Sequence, residues 1–119
     1  MESKLFGSEL KVMSVLWREG EVPASRIARQ LAGELGWNVN TVYTLIKRCI
    51  KKGAVERSEP GFICRALVTK EEVQEAQTNE LIDKLYDGSA GNLFAALLGR
   101  KKWSAAQIER LRQIVGELE

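Results

Sequence analysis

The side chains best suited to a chemical task lie between Trp37 and Gly53. Apolar residues recur there at i, i+3, i+4 and i+7, the spacing of one helix face: Val42, Leu45, Ile46 and Cys49. Asn38 can accept a hydrogen bond from a free backbone N–H at the helix start, and Gly53 suits the position just beyond the helix end. The stretch therefore predicts a helix with one buried face and one free face.

The free face of this predicted helix has an ordered chemistry. It carries Asn40, Thr44, Lys47 and Lys51, flanked by Thr41, Tyr43 and Arg48. Short hydrogen-bonding groups come first along the helix, and cations follow. Amides and hydroxyls can read base edges while Lys and Arg neutralise phosphates, so the pattern predicts a DNA-reading helix. An amphipathic helix with an ordinary basic surface is the alternative.

The composition argues against an enzyme. The 119 residues include no histidine and only two cysteines, which excludes a histidine base, a histidine-containing triad and nearly all zinc sites with mixed ligands. The glycines form no phosphate-binding loop. We therefore expect no catalytic residue, no metal site and no cofactor.

Several features bear on where the protein works. No apolar run is as long as a membrane-spanning helix, and the first residues lack the apolar core of a signal peptide. Cys49 and Cys64 are interpreted as small core residues, which suits a reducing compartment. We expect a cytoplasmic protein that does not insert into a membrane.

Two helices are predicted before the DNA-reading helix. Residues 8–18 and residues 24–35 both have apolar residues at helical spacing, and residues 21–23 between them are predicted to be extended. A tight turn at Gly36 and Trp37 leads into the third helix. Two helices joined by a short turn with glycine, the second one basic on its free face, are typical of a helix-turn-helix.

A β-hairpin is predicted directly after the third helix. Short runs at Ala54–Arg57 and Phe62–Leu67 flank a turn at residues 58–61 that contains Pro60 and Gly61. A hairpin in this place is a wing, so residues 1–68 are predicted to form a winged-helix DNA-binding domain. Arg57 lies near the wing tip, where it either reaches a phosphate or the minor groove or remains a solvated turn residue.

Residues 69–119 are predicted to be helical. A capping box at Thr69–Glu72 opens a helix that runs to about Tyr86, a loop follows at residues 87–91, and residues 92–98 form a short apolar helix buried on several sides. A second capping box, at Ser104–Gln107, opens the last helix. The fold class is therefore mainly α, a winged helix-turn-helix followed by a helical region.

The helical region has more apolar surface than a monomer is expected to expose. We predict that it forms a homodimer interface through Leu81, Leu85, Leu93, Phe94, Leu97, Ile108, Leu111, Val115 and Leu118. A monomeric α-bundle folded back on the first domain is the alternative. The net charge is +4 for residues 1–68 and −2 for residues 69–119, which suits a nucleic-acid module joined to a protein-binding one.

From about Leu10 to Leu118 the chain resembles the penicillinase-repressor family of bacterial winged-helix regulators, the BlaI/MecI type. The residues that carry the resemblance are Glu9–Met13, Leu16, Trp17, Trp37, Thr41, Val42, Thr44, Leu45, Arg48, Lys51–Gly53, Leu67, Val68, Lys84–Tyr86, Gly88, Ile108, Glu109, Leu111 and Arg112. The resemblance implies a homodimeric transcriptional repressor on an inverted-repeat DNA operator, relieved by a signal acting on the C-terminal region.

Three departures from the family pattern concern function. The family often opens its recognition helix with Ser-Pro-Lys-Thr, whereas this chain has Asn38–Thr41. Repressors of this type that are inactivated by a regulatory protease are cut at an Asn-Phe bond, and the pair in that place here is Ala96-Leu97. The copper-responsive branch has a cysteine-rich C-terminal metal site, and residues 69–119 contain no cysteine.

Two other functions fit the same pattern. The winged helix could be a protein–protein interaction module with a merely solvated basic face, or a regulator that senses a small ligand through its Trp and Tyr residues. Salt dependence distinguishes DNA binding from an apolar protein interface, because neutralising phosphates releases counterions.

Overall fold

The computed structural model describes residues 4–99 and 102–118. Within this part of the chain the elements are α1 (Gly7–Glu19), β1 (Val22–Pro23), α2 (Ala24–Leu35), α3 (Val39–Lys51), β2 (Val55–Ser58), β3 (Ile63–Ala66), α4 (Lys70–Leu85), α5 (Ala90–Gly99) and α6 (Ala105–Glu117). The chain divides into two compact units, Met1–Gln77 and Thr78–Glu119. The first unit is a winged helix-turn-helix, which confirms the predicted fold class.

A small antiparallel sheet closes the first unit. Its strand order is β1-β3-β2, so the extended residues before α2 join the hairpin as a third strand. Val22 pairs with Cys64, and the backbone N–H of Ala24 donates to the carbonyl of Phe62 over 2.9 Å. This pairing, which the sequence pattern did not predict, joins the start of α2 to the wing.

Helix α3 is held with one face inward. The four apolar residues of its inward face are at most 5% exposed: Val42, Leu45, Ile46 and Cys49. They share one core with α1 and α2, in which Met13, Ile27 and Leu31 are also buried. Burial disfavours the thiolate and raises the pKa of Cys49 to about 12 and that of Cys64 to about 11. Both cysteines are therefore core residues, as predicted.

The ends of α3 form as the sequence predicted. The side chain of Asn38 accepts a hydrogen bond from the backbone N–H of Asn40 over 2.8 Å. At the other end Gly53 adopts a φ of +81°, a backbone conformation that residues with a side chain rarely adopt. Gly36, at the turn between α2 and α3, is also left-handed, with a φ of +69°. The direction of α3 is thus fixed at both ends.

A buried ion pair joins the start of α1 to the end of α3. Glu9 is 2% exposed, and its Oε1 lies 2.6 Å from the Nζ of Lys52. The same carboxylate accepts a hydrogen bond from the backbone N–H of Phe6 over 2.8 Å, and Lys52 also donates to the carbonyl of Lys4. Lys52 further lies 4.4 Å from the ring centroid of Phe6. The pair was not predicted.

The surroundings of Glu9 favour its charged form. Burial alone opposes the carboxylate, but the hydrogen bonds from Lys52 and from the backbone of Phe6, with the charge of Lys52, outweigh it. The pKa of Glu9 is therefore below its ordinary value of 4.5. A carboxyl with a lowered pKa stabilises the fold above its unfolded-state pKa, and this contribution is lost as the pH falls through the folded-state value.

The first half of α4 belongs to the first unit. Val73 is 4% exposed in the same core, and the side-chain amide of Gln77 donates to the carbonyl of Leu5 over 2.9 Å. The capping box predicted at Thr69 is confirmed, because Thr69 and Glu72 exchange hydrogen bonds of 2.9 and 3.0 Å. The first unit therefore ends at Gln77, within α4, whereas the predicted domain boundary lies between residues 68 and 69.

The second unit corrects two predictions. Helix α5 begins at Ala90, so the predicted loop at residues 87–91 is shorter than expected. No residue of α5 or α6 is buried, and Phe94 is 61% exposed, so the prediction that residues 92–98 are buried is wrong for the single chain. The reason is physical: these apolar side chains find too few neighbours within their own unit. The capping box at Ser104 and Gln107 is confirmed.

We predict that Glu9→Gln destabilises the protein by about 1.5–3 kcal/mol at neutral pH, because a charged hydrogen-bonding partner of partly buried Lys52 is lost. The difference from wild type should shrink as the pH falls below 4.5 and through the lower pKa of folded Glu9, where the wild-type carboxyl also becomes neutral. Urea unfolding over a pH series measures both effects.

The matched control for this substitution is Glu75→Gln, which removes the same charge from an exposed position on α4. Its free energy of unfolding should stay within about 0.5 kcal/mol of wild type. A Glu9→Gln loss that persists unchanged at acid pH would contradict the proposed role of the ion pair.

Candidate nucleic-acid interface

The face of α3 opposite the core is open to solvent. Six of the seven residues predicted there to bind DNA are exposed: Asn40, Thr41, Thr44, Lys47, Arg48 and Lys51. The seventh, Tyr43, is only partly exposed. The structure thus brings the predicted residues together on one surface, which we call the α3 face.

The first turns of the α3 face present polar groups of defined direction. The hydroxyl of Thr44 donates to the carbonyl of Asn40 over 3.1 Å, so its remaining hydrogen-bonding capacity is as an acceptor. An acceptor matches the exocyclic amino groups of adenine and cytosine. Val39, the first helical residue, is 45% exposed and can contact the methyl group of thymine. The sequence pattern did not indicate a role for Val39, because this residue lies next to the predicted cap.

The last turns of the α3 face carry unpaired cations. Among residues 4–99 and 102–118, no carboxylate lies within 4.0 Å of the charged nitrogens of Lys47, Arg48 or Lys51. Cations without a carboxylate partner can neutralise phosphates without first breaking an ion pair. The order along α3 is thus acceptors and amides first, then free positive charge.

The first unit has one open groove beside the α3 face and another on α2. One, of about 440 Å³, is lined by Ser8, Trp37, Asn38, Thr41, Leu45 and Arg48. The other, of about 450 Å³, is lined by Pro23, Ser25, Arg26, Arg29 and Gln30 on the exposed side of α2. Arg26 pairs with Glu19 over 2.7 Å, whereas no ion pair of Arg29 exists within the described residues. Arg29 thus adds an exposed positive charge on α2, and its i+3 spacing from Arg26 in the sequence already indicated a basic side of that helix.

The wing contacts α3 through aromatic rings. Tyr43 lies 5.9 Å from Phe62, measured between ring centroids, at a tilt of 59°. The guanidinium of Arg57 stacks on the ring of Phe62, with its Cζ 3.6 Å from the ring centroid. Arg57 also pairs with Glu59 over 2.6 Å. The two predicted DNA-binding residues Tyr43 and Arg57 therefore meet at Phe62, and Arg57 is already engaged by a carboxylate.

The residues predicted for dimerisation are accessible in the single chain. Leu81, Leu85, Phe94, Leu97, Ile108, Val115 and Leu118 are between 38% and 83% exposed, and Leu93 and Leu111 are half-buried. Ala96 and Leu97, the predicted cleavage pair, are both exposed in α5. The second unit thus presents a large apolar surface.

Among the described residues, no group of three or more Cys, Asp or Glu side chains could hold a metal ion. None of the described helices has the length and hydrophobicity needed to span a membrane.

The sequence and the fold of this chain are similar to those of known proteins. A family model described as penicillinase repressor matches residues 7–117. The chain belongs to the penicillinase repressor family, which confirms the resemblance found in the sequence. The penicillinase repressor of Bacillus licheniformis is 25% identical over 112 residues, covering 92% of this chain and 88% of that protein. The methicillin resistance regulatory protein MecI of Staphylococcus aureus strain N315 is 26% identical over 122 residues, covering 98% and 99%.

Solved structures agree with the fold of the first unit. The solution structure of the DNA-binding domain of the repressor BlaI superposes with a TM-score of 0.55 at 25% identity, covering 60% of this chain and 93% of that domain. The monomeric form of Bacillus licheniformis BlaI, solved with the blaP half-operator, superposes with a TM-score of 0.53 at 24% identity, covering 60% and 90%. At 24% identity, the likeness to this second structure supports the winged-helix fold alone.

Proposed function

We propose that the protein is a transcriptional repressor that binds an inverted-repeat DNA operator as a homodimer. The observation that carries this proposal is the α3 face, where exposed amides and hydroxyls precede cations with no carboxylate within 4.0 Å among the described residues. Relatives named as repressors and as a regulatory protein support the same function. Their names describe regulators, which also supports a role other than catalysis.

The proposed division of labour follows the order of side chains along α3. Asn40, Thr41 and Thr44 contact base edges in the major groove, since only groups of this kind distinguish base pairs there. Lys47, Arg48 and Lys51 contact phosphates and set the position of the helix. Arg29 on α2 adds a phosphate contact beside them. Tyr43 supports the wing through Phe62 and presents its outer edge to the DNA.

The proposed dimer forms through the second unit. Its exposed apolar residues need a partner, and a second copy of the same chain offers a self-complementary surface under two-fold symmetry. Two linked heads also match the two half-sites of an inverted repeat. We infer that the interface includes Leu81, Leu85, Leu93, Phe94, Leu97, Ile108, Leu111, Val115 and Leu118.

Relief of repression is proposed to act on this second unit. One head alone makes too few contacts to compete with non-specific DNA, so any signal that separates the heads ends repression. Cutting between Ala96 and Leu97 by a regulatory protease achieves this, because it removes α6 from the DNA-binding half. In a dimer that covers α5, the bond becomes accessible only after local opening.

We predict that Thr44→Val and Lys51→Ala weaken DNA binding in different ways. Thr44→Val removes the hydroxyl while keeping the side-chain shape, so it should cost about 1–3 kcal/mol on the best sequence and relax preference at one position. Lys51→Ala should weaken binding almost equally on all sequences and reduce the salt slope by about one per protomer. Binding to an array of all short duplex sequences measures both.

Lys70→Ala is the control for Lys51→Ala, because it removes one positive charge from the start of α4 rather than from the α3 face. It should leave both the sequence preference and the salt slope near wild type. Identical profiles for Thr44→Val and Lys51→Ala would contradict the division of labour. Wild-type affinity that does not depend on salt would instead favour a protein–protein module.

We predict that a chain ending at Gln77 folds but is monomeric. It keeps Val73 in the core and the hydrogen bond from Gln77 to Leu5, which a chain ending at Val68 loses. Sedimentation should therefore give a monomer, and affinity for an inverted repeat should fall by about 10² or more because the heads are no longer tethered.

Point substitutions in α6 test the proposed interface without removing any residues. Leu111→Glu places a charge on the apolar side of α6 and should dissociate the dimer, whereas Arg110→Glu changes an exposed polar position and should not. A chain ending at Gln77 that still sediments as a dimer would place the interface in the first unit.

A further inference from the structure

The charged side chains of the wing pair among themselves. The hairpin, residues 55–66, contains two arginines and two glutamates. Arg65 lies 2.7 Å from Glu56, and Arg57 lies 2.6 Å from Glu59. The hairpin therefore has no net charge and no unpaired cation, in contrast to the α3 face.

The pair at the wing tip is held more firmly than a simple surface ion pair. Oε1 of Glu59 accepts from both Nε and Nη2 of Arg57, over 2.9 and 2.6 Å, and Oε2 accepts from the backbone N–H of Phe62 over 2.8 Å. The guanidinium lies on the ring of Phe62. Phe62 is itself fixed by its carbonyl, which accepts from Ala24, and by its contact with Tyr43. We call Arg57, Glu59 and Phe62 the wing clamp.

The clamp keeps Glu59 negatively charged. The backbone N–H of Phe62, followed by the hydrogen bond from Arg57, lowers the pKa of Glu59 from its ordinary value of 4.5. At neutral pH, which is far above this pKa, the carboxylate is an anion beside the only arginine near the wing tip within the described residues.

We propose that Glu59 retains Arg57 within the wing, so that the wing makes no phosphate contact and the helices supply the DNA affinity. This inference rests on the proposed DNA-binding function and adds a determinant of affinity to it. Glu59 acts on DNA through Arg57, as a positioning residue and as a negative charge.

The balance of electrostatic energies supports the clamp. An exposed ion pair contributes little free energy because water screens it, so the pair alone does not stop Arg57 from turning towards a phosphate. When Arg57 turns away, however, Glu59 is left unpaired beside the polyanion, and like charges repel. The stacking on Phe62 is lost as well. Moving Arg57 to a phosphate therefore exchanges one ion pair for another and adds a repulsion.

The clamp has a consequence for selectivity. Phosphate contacts supply essentially all non-specific DNA affinity. A wing without net positive charge adds little to this affinity, so base contacts from α3 account for a larger share of the binding free energy. Glu59 thereby restrains non-specific binding without touching a base.

Three forms of the full-length protein test the role of Glu59: wild type, Glu59→Gln, and the double variant Arg57→Gln with Glu59→Gln. The amide oxygen of Gln can still accept from the backbone of Phe62, so the turn is kept. Affinity for a random-sequence duplex is measured by fluorescence anisotropy over a series of potassium chloride concentrations. Thermal unfolding of each variant confirms that it is folded.

The expected results follow from freeing Arg57. Glu59→Gln should bind about two- to fivefold more tightly per protomer, the range of one exposed ion pair, and its salt slope should steepen by about 0.9 per protomer. The double variant has the same wing charge as wild type and should return to wild-type affinity and slope. Glu75→Gln, which removes one carboxylate from α4, is the control and should resemble wild type.

Two outcomes overturn the proposal while leaving DNA binding intact. If the double variant binds more weakly than wild type with a smaller salt slope, then Arg57 contacts a phosphate in the wild-type protein. If Glu59→Gln matches Glu75→Gln, then Glu59 does not restrain Arg57. A wild-type protein that shows no salt-dependent binding to any duplex overturns the proposed function itself, and the role of Glu59 falls with it.

Discussion

The structure depends on the burial of one face of α3. Val42, Leu45, Ile46 and Cys49 are packed against α1 and α2, so helix rotation is fixed and the opposite face must point outward. Turning α3 by one residue would bury polar groups without partners, which costs about 1–3 kcal/mol for each. The core thus sets which side chains are available to DNA. The ion pair of Glu9 with Lys52 adds a polar restraint at the end of the same helix.

The sequence predicted the helices and caps, which depend on local residue patterns. The spacing of apolar residues predicted α1, α2 and α3, and the caps at Asn38, Thr69 and Ser104 are confirmed. Contacts between residues distant in the sequence were missed, because no periodicity records them. Glu9 pairs with Lys52, Tyr43 packs on Phe62, and β1 joins β3. Pairing within the wing was also missed, although Arg57 and Glu59 are close in sequence, because geometry rather than spacing decides it.

The two units differ in how much of their apolar surface is buried within a single chain. The first unit buries most of its apolar residues and ties the start of α4 to its core through Val73 and Gln77. The second unit leaves residues such as Phe94 and Leu118 exposed. Apolar surface of this kind is unfavourable in water, at roughly 25 cal/mol per Å². This imbalance supports the proposed two-fold dimer through the second unit, an arrangement that would hold the two α3 faces at a fixed separation.

We propose that two α3 faces, held by paired second units, read an inverted repeat. Selection of duplexes from a random pool by the 119-residue protein tests this arrangement. We expect enrichment of two inverted half-sites whose centres are about one helical turn of DNA, or a multiple of it, apart. Enrichment of single half-sites without symmetry, or no enrichment above the starting pool, would contradict it.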